Sequence, residues 1–177
     1  MTDDRERRTR HQGTALQGGH PEGRELRALM ELSQQEAANR SASTVEAEHI
    51  LLALAALPDS RGGAFLIANG LDRAALEQAL VAERRHSLGS VGAPVYAEAE
   101  LKAARRRHRP RWGASSRDAF DRGMRVSRGR DQASTLNLVV GALMAELGTV
   151  PRMLGLAGVD RHQILGRAMV EAAKGTK

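Results

Sequence analysis

The 177-residue sequence contains no cysteine and very few aromatic residues. Without cysteine the chain has neither a disulfide framework nor a thiolate metal site, and a reducing compartment such as the cytoplasm is the expected location. Phe, Trp and Tyr together supply 2% of the residues, which argues against a surface that stacks single-stranded bases. Since 41% of the residues are hydrophobic, the core has to consist mainly of Leu, Ala, Val, Ile and Met, which favours packed helices.

Three further patterns are missing from the sequence. No apolar run approaches the roughly 20 residues that a membrane-spanning helix needs. No secretory leader pattern opens the chain, so we expect a soluble, non-secreted protein without membrane contacts. No phosphate-cradling G-x-x-x-x-G-K-[ST] loop occurs, so ATP hydrolysis is not expected.

The charge of the chain is unbalanced, with a formal net charge of +6. Such a charge permits attraction to nucleic acid, acidic membranes or acidic proteins without selecting one of them. The densest positive patch consists of Arg105, Arg106, Arg107, Arg109 and Arg111. Three interpretations of this patch stay open: a weak, salt-dependent contact with a phosphate backbone, a solvated linker, or a contact for an acidic partner surface. No helix-turn-helix or zinc-finger motif supports specific readout of a nucleic acid.

The central stretch of the chain, residues 45–57, begins with Glu46, Glu48 and His49 and continues as a nearly unbroken apolar helix. A catalytic or metal-binding pair at Glu48 and His49 is one hypothesis. Zinc on a helix needs a second ligand four residues further on, where Ala53 stands, so a structural role for both residues is favoured. We therefore predict a non-enzymatic protein with no catalytic residue, no metal site and no cofactor.

Helix signals surround this stretch. Ser43 or Thr44 is the predicted cap of the central helix, Gly70 is suited to a left-handed helix end, and Asp72 is suited to cap the following helix. The same signals return 88 residues later, where Gly-Val-Asp-Arg at 158–161 matches Gly-Leu-Asp-Arg at 70–73 (158 − 70). Apolar character is kept at matching positions, which indicates an internal duplication.

The predicted fold is all-α, with two four-helix repeats related by a pseudo-two-fold axis and packed as one body. The predicted organisation is a disordered tail over 1–22, repeat one over 23–86, a basic linker over 87–111, repeat two over 112–173 and a short tail over 174–177. Strong helix formers predict a short helix at 96–109, ended by Pro110.

The stretch Ala-Glu-His-Ile-Leu-Leu-Ala-Leu at 47–54, followed by Gly-Leu-Asp and a final amphipathic helix, resembles the Clp N-terminal repeat domain. That family has a doubled four-helix repeat at the front of the ClpA, ClpB and ClpC unfoldases, with the hallmark T-E-H-L-L-L-A-L. The resemblance covers about 23–84 and 112–173, and the second repeat is degenerate, with Thr-Leu-Asn-Leu-Val-Val-Gly-Ala at 135–142. The chain therefore looks like a stand-alone Clp N-terminal domain without its ATPase modules.

The resemblance implies a docking module for a Clp unfoldase, its adaptors or its clients, or a decoy for peptides directed at such domains. In ClpC-type domains, the Glu of the hallmark and a Thr at the start of each repeat's first helix hold phosphorylated arginine. These positions fall on Glu48, Gly23 and Gly113 here, and Leu136 replaces the second Glu. Both hydroxyls are thus missing, so the resemblance implies at most one incomplete phosphoarginine pocket.

Overall fold

The described part of the chain is almost entirely helical. The computed structural model describes residues 21–92, 109–127 and 134–174. Within these ranges the fold is all-α, as predicted, and the secondary structure outside the helices is limited to two short strands. The helices are α1 (Pro21–Asn39), α2 (Ala47–Ala55), α3 (Arg61–Ala68), α4 (Arg73–Ser90), α5 (Ala114–Val126), α6 (Thr135–Leu143), α7 (Thr149–Leu156) and α8 (Arg161–Lys174). The predicted tail over 1–22 lies outside the described residues except for its last two positions. The predicted helix at 96–109 also lies outside them, except for Arg109.

Several helix boundaries follow from local side-chain chemistry. The Asp72 carboxylate accepts a hydrogen bond from the Ala75 amide at 2.8 Å, which confirms the predicted cap at the start of α4. Gly70 has φ +74°, so the predicted left-handed residue after α3 is also confirmed. Ser60 caps α3, because its Oγ accepts a hydrogen bond from the Gly63 amide at 3.0 Å.

The predicted cap of α2 is wrong. Thr44 and Val45 form strand β1 (Thr44–Val45), which pairs in parallel with strand β2 (Arg111–Trp112). The extended backbone therefore continues past Ser43 and Thr44, and Glu46 occupies the N-cap position. The strand pairing overrides the local preference of the two hydroxyl residues, because it satisfies their backbone groups in another way.

Helix α4 runs beyond the predicted start of the linker at residue 87. Its last turn includes Ser87 and Ser90, and the Ser87 hydroxyl donates to the Glu83 carboxylate at 2.7 Å. Gly89 is tolerated there because it is exposed, and a glycine in a helix costs only about 1 kcal/mol relative to alanine. The chain leaves the helix at Gly92, which has φ +67°.

Helices α2 and α6 form the centre of the hydrophobic core. Every residue of α6 is buried, and Glu48 is the only residue of α2 that is not. Helix α2 packs against α6, α3 packs against α6, and α4 packs against α7. One continuous cluster of buried apolar side chains thus joins the helices on both sides of residues 93–108.

The helices after residue 109 repeat the spacing of those before residue 93. Helices α2, α3 and α4 begin at Ala47, Arg61 and Arg73. Helices α6, α7 and α8 begin at Thr135, Thr149 and Arg161, in each case 88 residues later (135 − 47, 149 − 61 and 161 − 73). Gly70 and Gly158 have the same offset, and their φ angles are +74° and +70°. The pseudo-two-fold relation between the halves stays a prediction.

In the described ranges, no helix combines the length and the apolar character required to cross a bilayer.

Helices α5 and α6 lie in backbone contact at two glycines. A Cβ atom on Gly123 would lie 2.6 Å from the Asn137 carbonyl oxygen, and one on Gly141 would overlap the Ala119 carbonyl oxygen. Neither obstacle is a flexible side chain, so any larger residue has to push the two helices apart. These glycines set the distance between α5 and the central helix.

We predict that Gly141→Ala lowers the free energy of unfolding by about 2–3 kcal/mol, since the added methyl group overpacks the contact between two helix backbones. The control is Gly155→Ala in α7, where a Cβ meets nothing within 4 Å. That change should stabilise the protein by up to about 1 kcal/mol, because alanine favours the helix. Urea unfolding of both variants is the measurement, and equal midpoints would contradict the packing argument.

Candidate functional site

Glu48, the candidate binding residue, lies in the first turn of α2 and is half-buried. Burial raises the pKa of its carboxyl from 4.5 to about 7. The negative charges of Glu46 and Glu83 add to this rise, whereas Arg152 opposes it. Glu48 is therefore a carboxyl group that is partly protonated near neutral pH, which is unusual for glutamate.

Next to Glu48, an ion pair between a buried carboxylate and an exposed arginine closes the junction between α4 and α7. Glu83 is 6% exposed, and its Oε1 accepts a hydrogen bond from Arg152 Nε at 2.9 Å and lies 2.8 Å from Arg152 Nη2. The Ser87 hydroxyl binds the same oxygen at 2.7 Å. The Glu83 carboxylate is thus already occupied by Arg152 and Ser87.

His49 is a structural residue. It is 4% exposed, and its Nδ1 accepts a hydrogen bond from the Glu46 amide at 2.9 Å. Burial, together with the charge of Arg40, lowers the pKa of the imidazole to about 4. The side chain is therefore neutral at physiological pH and serves as a cap for the start of α2.

The starts of α2 and α5 cap each other. The Glu46 carboxylate accepts hydrogen bonds from the Ser115 amide at 3.1 Å and from the Ser115 hydroxyl at 2.6 Å. In return, the Ser115 Oγ accepts a hydrogen bond from the Ala47 amide at 2.9 Å. We call Glu46, Ala47 and Ser115 the reciprocal cap. It uses the favourable position of a carboxylate at a helix N-terminus.

The two glycines at the predicted threonine positions have different surroundings. Gly113 is buried, and a Cβ on it would overlap the Glu46 carboxylate. Gly23 is exposed, has open space around its Cβ position and borders a shallow groove of about 590 Å3 beside Trp112. Gly113 thus lies against Glu46 rather than in a vacant pocket, and no described contact joins Gly23 to Glu48.

Two members of the predicted basic patch are described. Arg109 Nε donates a hydrogen bond to the Gln34 side chain of α1 at 2.9 Å. Arg111 is exposed and belongs to β2, where its amide donates to the Ser43 carbonyl oxygen at 3.1 Å. Arg105, Arg106 and Arg107 lie outside the described residues, so the geometry of the full patch stays a prediction.

The contacts of Ser115 with Glu46 and of Arg152 with Glu83 were not predicted from the sequence. Ser115 reaches Glu46 across 69 positions, and Arg152 reaches Glu83 across the same separation. A hydroxyl residue in the first turn of α5 was the one available signal, since such residues often cap helices. Within the described ranges, no three His, Asp or Glu side chains converge in a way that could hold a metal ion.

Comparison with known proteins adds no relative to this description. No family model matches the chain, and no curated protein is similar enough to it to count as a match.

We predict that Glu48 and His49 have opposite effects on the pH dependence of stability. The raised pKa of Glu48 gives a contribution that is full below about pH 4.5 and is lost as the pH rises through about 7. The lowered pKa of His49 gives a contribution that is full above about pH 6.5 and is lost as the pH falls through about 4. Each shift corresponds to on the order of 3 kcal/mol, so the two effects largely cancel.

The test is urea unfolding of Glu48→Gln and His49→Asn across this pH range, each compared with the parent chain. The stability of Glu48→Gln relative to the parent should rise with pH, because Glu48 no longer opposes His49. The relative stability of His49→Asn should fall with pH, and asparagine already occupies the position 88 residues later, Asn137, in a buried site. Variant and parent curves that run parallel would show that neither pKa is shifted as described.

For the reciprocal cap, we predict that Ser115→Ala costs about 2–3 kcal/mol. The change leaves the buried Ala47 amide without its acceptor and removes the hydroxyl donor to the Glu46 carboxylate. Thermal unfolding gives the cost, and faster hydrogen exchange at the Ala47 amide locates it. Ser90→Ala is the control, because that hydroxyl is exposed at the end of α4 and its loss should change stability by less than about 0.5 kcal/mol. Equal effects of the two changes would rule out a special role for Ser115.

Proposed function

We propose that this protein is a non-enzymatic interaction module built from two Clp-N-like repeats. In this proposal it binds a Clp unfoldase, an adaptor, a client protein or a peptide directed at Clp N-terminal domains. Binding either delivers the partner to Clp proteolysis or keeps it away, so the module modulates or buffers that process.

The observation that carries the proposal is the repeated helix spacing. Three successive helices begin 88 residues before their counterparts, and the middle helix of each set, α3 or α7, is followed by a left-handed glycine. The stretch that resembles the Clp hallmark, Ala47–Leu54, forms the central helix α2, and its counterpart is the equally buried α6. This arrangement supports a duplicated four-helix unit of the kind that the resemblance implies.

The site geometry supports a ligand other than phosphoarginine. At the start of α5, where an anionic group would bind to helix amides, the Glu46 carboxylate already accepts the Ser115 hydrogen bonds. In the second repeat, Leu136 is 1% exposed and provides no carboxylate for a guanidinium group. Recognition in this proposal therefore depends on the shape, the apolar character and the charge of the partner surface.

The test combines capture with a degradation assay. The immobilised full chain is incubated with the purified Clp ATPase and protease of its own cell, and degradation of a fluorescent client is followed with and without the free chain. We expect retention of the ATPase or its adaptor and a saturable change in the degradation rate. The proposal fails if the rate is unchanged and lysate capture recovers only nucleic acid and ribosomal material.

The nucleic-acid alternative is tested separately through its charges. A gel shift that weakens with salt and is lost on changing Arg109 and Arg111 to Gln would favour that alternative. Arg84→Gln with Arg85→Gln is the matched control, since it removes the same charge from exposed positions on α4. Loss in both double variants would indicate only a general attraction to polyanions.

A further inference from the structure

A groove of about 740 Å3 lies between α3 and α8. Leu136 of α6 borders it and is 1% exposed, whereas Val170 of α8 borders it and is 60% exposed. The other wall residues without charge are Ala64, Phe65, Ala68, Asn69 and Gly166. The groove is therefore a concave surface that is largely apolar and that no described part of the chain covers.

The groove is open because it lacks the ion pair found at the corresponding junction. With the 88-residue offset, Ala64 corresponds to Arg152 (152 − 64) and Glu171 corresponds to Glu83 (171 − 83). Ala64 has no head group that could reach across, and the Glu171 carboxylate instead binds Lys174 of its own helix at 3.0 Å. Arg152 and Glu83 close the junction between α4 and α7, whereas their counterparts leave α3 and α8 apart.

Cations from both walls stand at the rim of this groove. Arg61 of α3 donates to the Glu171 carbonyl oxygen at 3.2 Å, and Arg167 of α8 donates to the Asn69 side chain at 3.1 Å. Among the described residues, neither guanidinium group has a carboxylate within ion-pair distance. Each therefore has spare donors for a carboxylate from outside the chain.

We propose that the groove docks a short acidic peptide segment of a partner protein, with an aliphatic side chain over Leu136 and carboxylates on Arg61 and Arg167. The inference rests on the proposed function and specifies the surface and the ligand chemistry of that module. The groove volume suits a few side chains. A phosphate backbone has no apolar group for the walls, and a second copy of this groove would bring the same cations against themselves.

The probe is a fluorescein-labelled six-residue peptide with two central leucines flanked on each side by Asp-Glu, measured by fluorescence anisotropy. We expect saturable binding to the full chain. Binding should weaken when Asn-Gln replaces Asp-Glu, and also when serine replaces both leucines. Absence of saturable binding, or equal binding of the three peptides, would overturn the proposal.

The blocking variant is Gly166→Glu, which places a carboxylate in the groove at a position where a Cβ meets nothing within 4 Å. We expect at least about tenfold weaker binding, because the new side chain occupies space and competes for the arginines. Gly155→Glu is the matched control, with the same charge change at an equally open helix position. It should bind as the parent does, and circular dichroism verifies that both variants fold. Equal weakening by the two variants would overturn the docking site.

The charge contribution is tested by changing Arg61 and Arg167 to Gln together. Affinity for the acidic peptide should fall about five- to tenfold, with little change for the Asn-Gln peptide. The Arg84→Gln, Arg85→Gln chain has the same net charge and should keep the affinity of the parent. If it loses as much affinity, the attraction is not localised in the groove and the proposal is wrong.

Two further measurements separate this inference from its alternatives. The first measurement is sedimentation equilibrium of the parent chain and of Gly166→Glu. If the parent chain self-associates and Gly166→Glu does not, the occupant of the groove is a second copy and the peptide proposal is wrong. If the Gly166→Glu variant still captures a Clp partner, the groove is not the docking site, and the proposed function is unaffected. Peptide binding without any Clp partner would support the groove and contradict the proposed function.

Discussion

The burial of α2, α3 and α6 around one core creates the constraint on which the rest of the structure depends. Helix starts have amide groups without partners inside the helix, and in a buried position each of them needs an acceptor. The Ala47 amide finds the Ser115 hydroxyl, and the Gly62 amide finds the Thr135 hydroxyl at 2.9 Å. Both acceptors come from the chain after residue 109. The two halves therefore satisfy each other's buried helix starts, and a change that removes either hydroxyl while the amide stays buried costs about 1–3 kcal/mol.

The junction between α4 and α7 and the junction between α3 and α8 have different chemistry, and only the second is open to a partner in our proposal. The buried Glu83 carboxylate pairs with the exposed Arg152 between α4 and α7 and also binds the Ser87 hydroxyl, so the main effect of the pair is to close and orient that junction. At the junction of α3 and α8, Ala64 stands at the position that matches Arg152, and Glu171, which matches Glu83, pairs with Lys174 instead. This junction stays open as a largely apolar groove. One junction thus presents an open surface while the core beneath both junctions stays packed.

Much of the fold was predictable because its signals are local. The all-α class followed from composition, the positions of Gly70 and Asp72 from turn and capping chemistry, and the core of α2 from its unbroken apolar run. The cap of α2 and the end of α4 were predicted wrongly for the same reason. At Thr44 a strand formed with a segment about 67 residues away (111 − 44) overrides the local hydroxyl signal. Helix α4 continues to Ser90, although the linker was predicted to begin at residue 87.

By itself, the sequence determined the class of fold, the spacing of the helices and the absence of charge at Leu136, since these depend on residue type and on periodicities within a few turns. Only the tertiary structure decided which of the candidate residues meet. It placed the Glu46 carboxylate on Ser115 rather than beside a ligand, neutralised His49 by burial, and set Arg61 and Arg167 on opposite walls of one groove. Such pairs lie tens of residues apart, and their distance is set by how whole helices pack, which no local pattern of residues encodes.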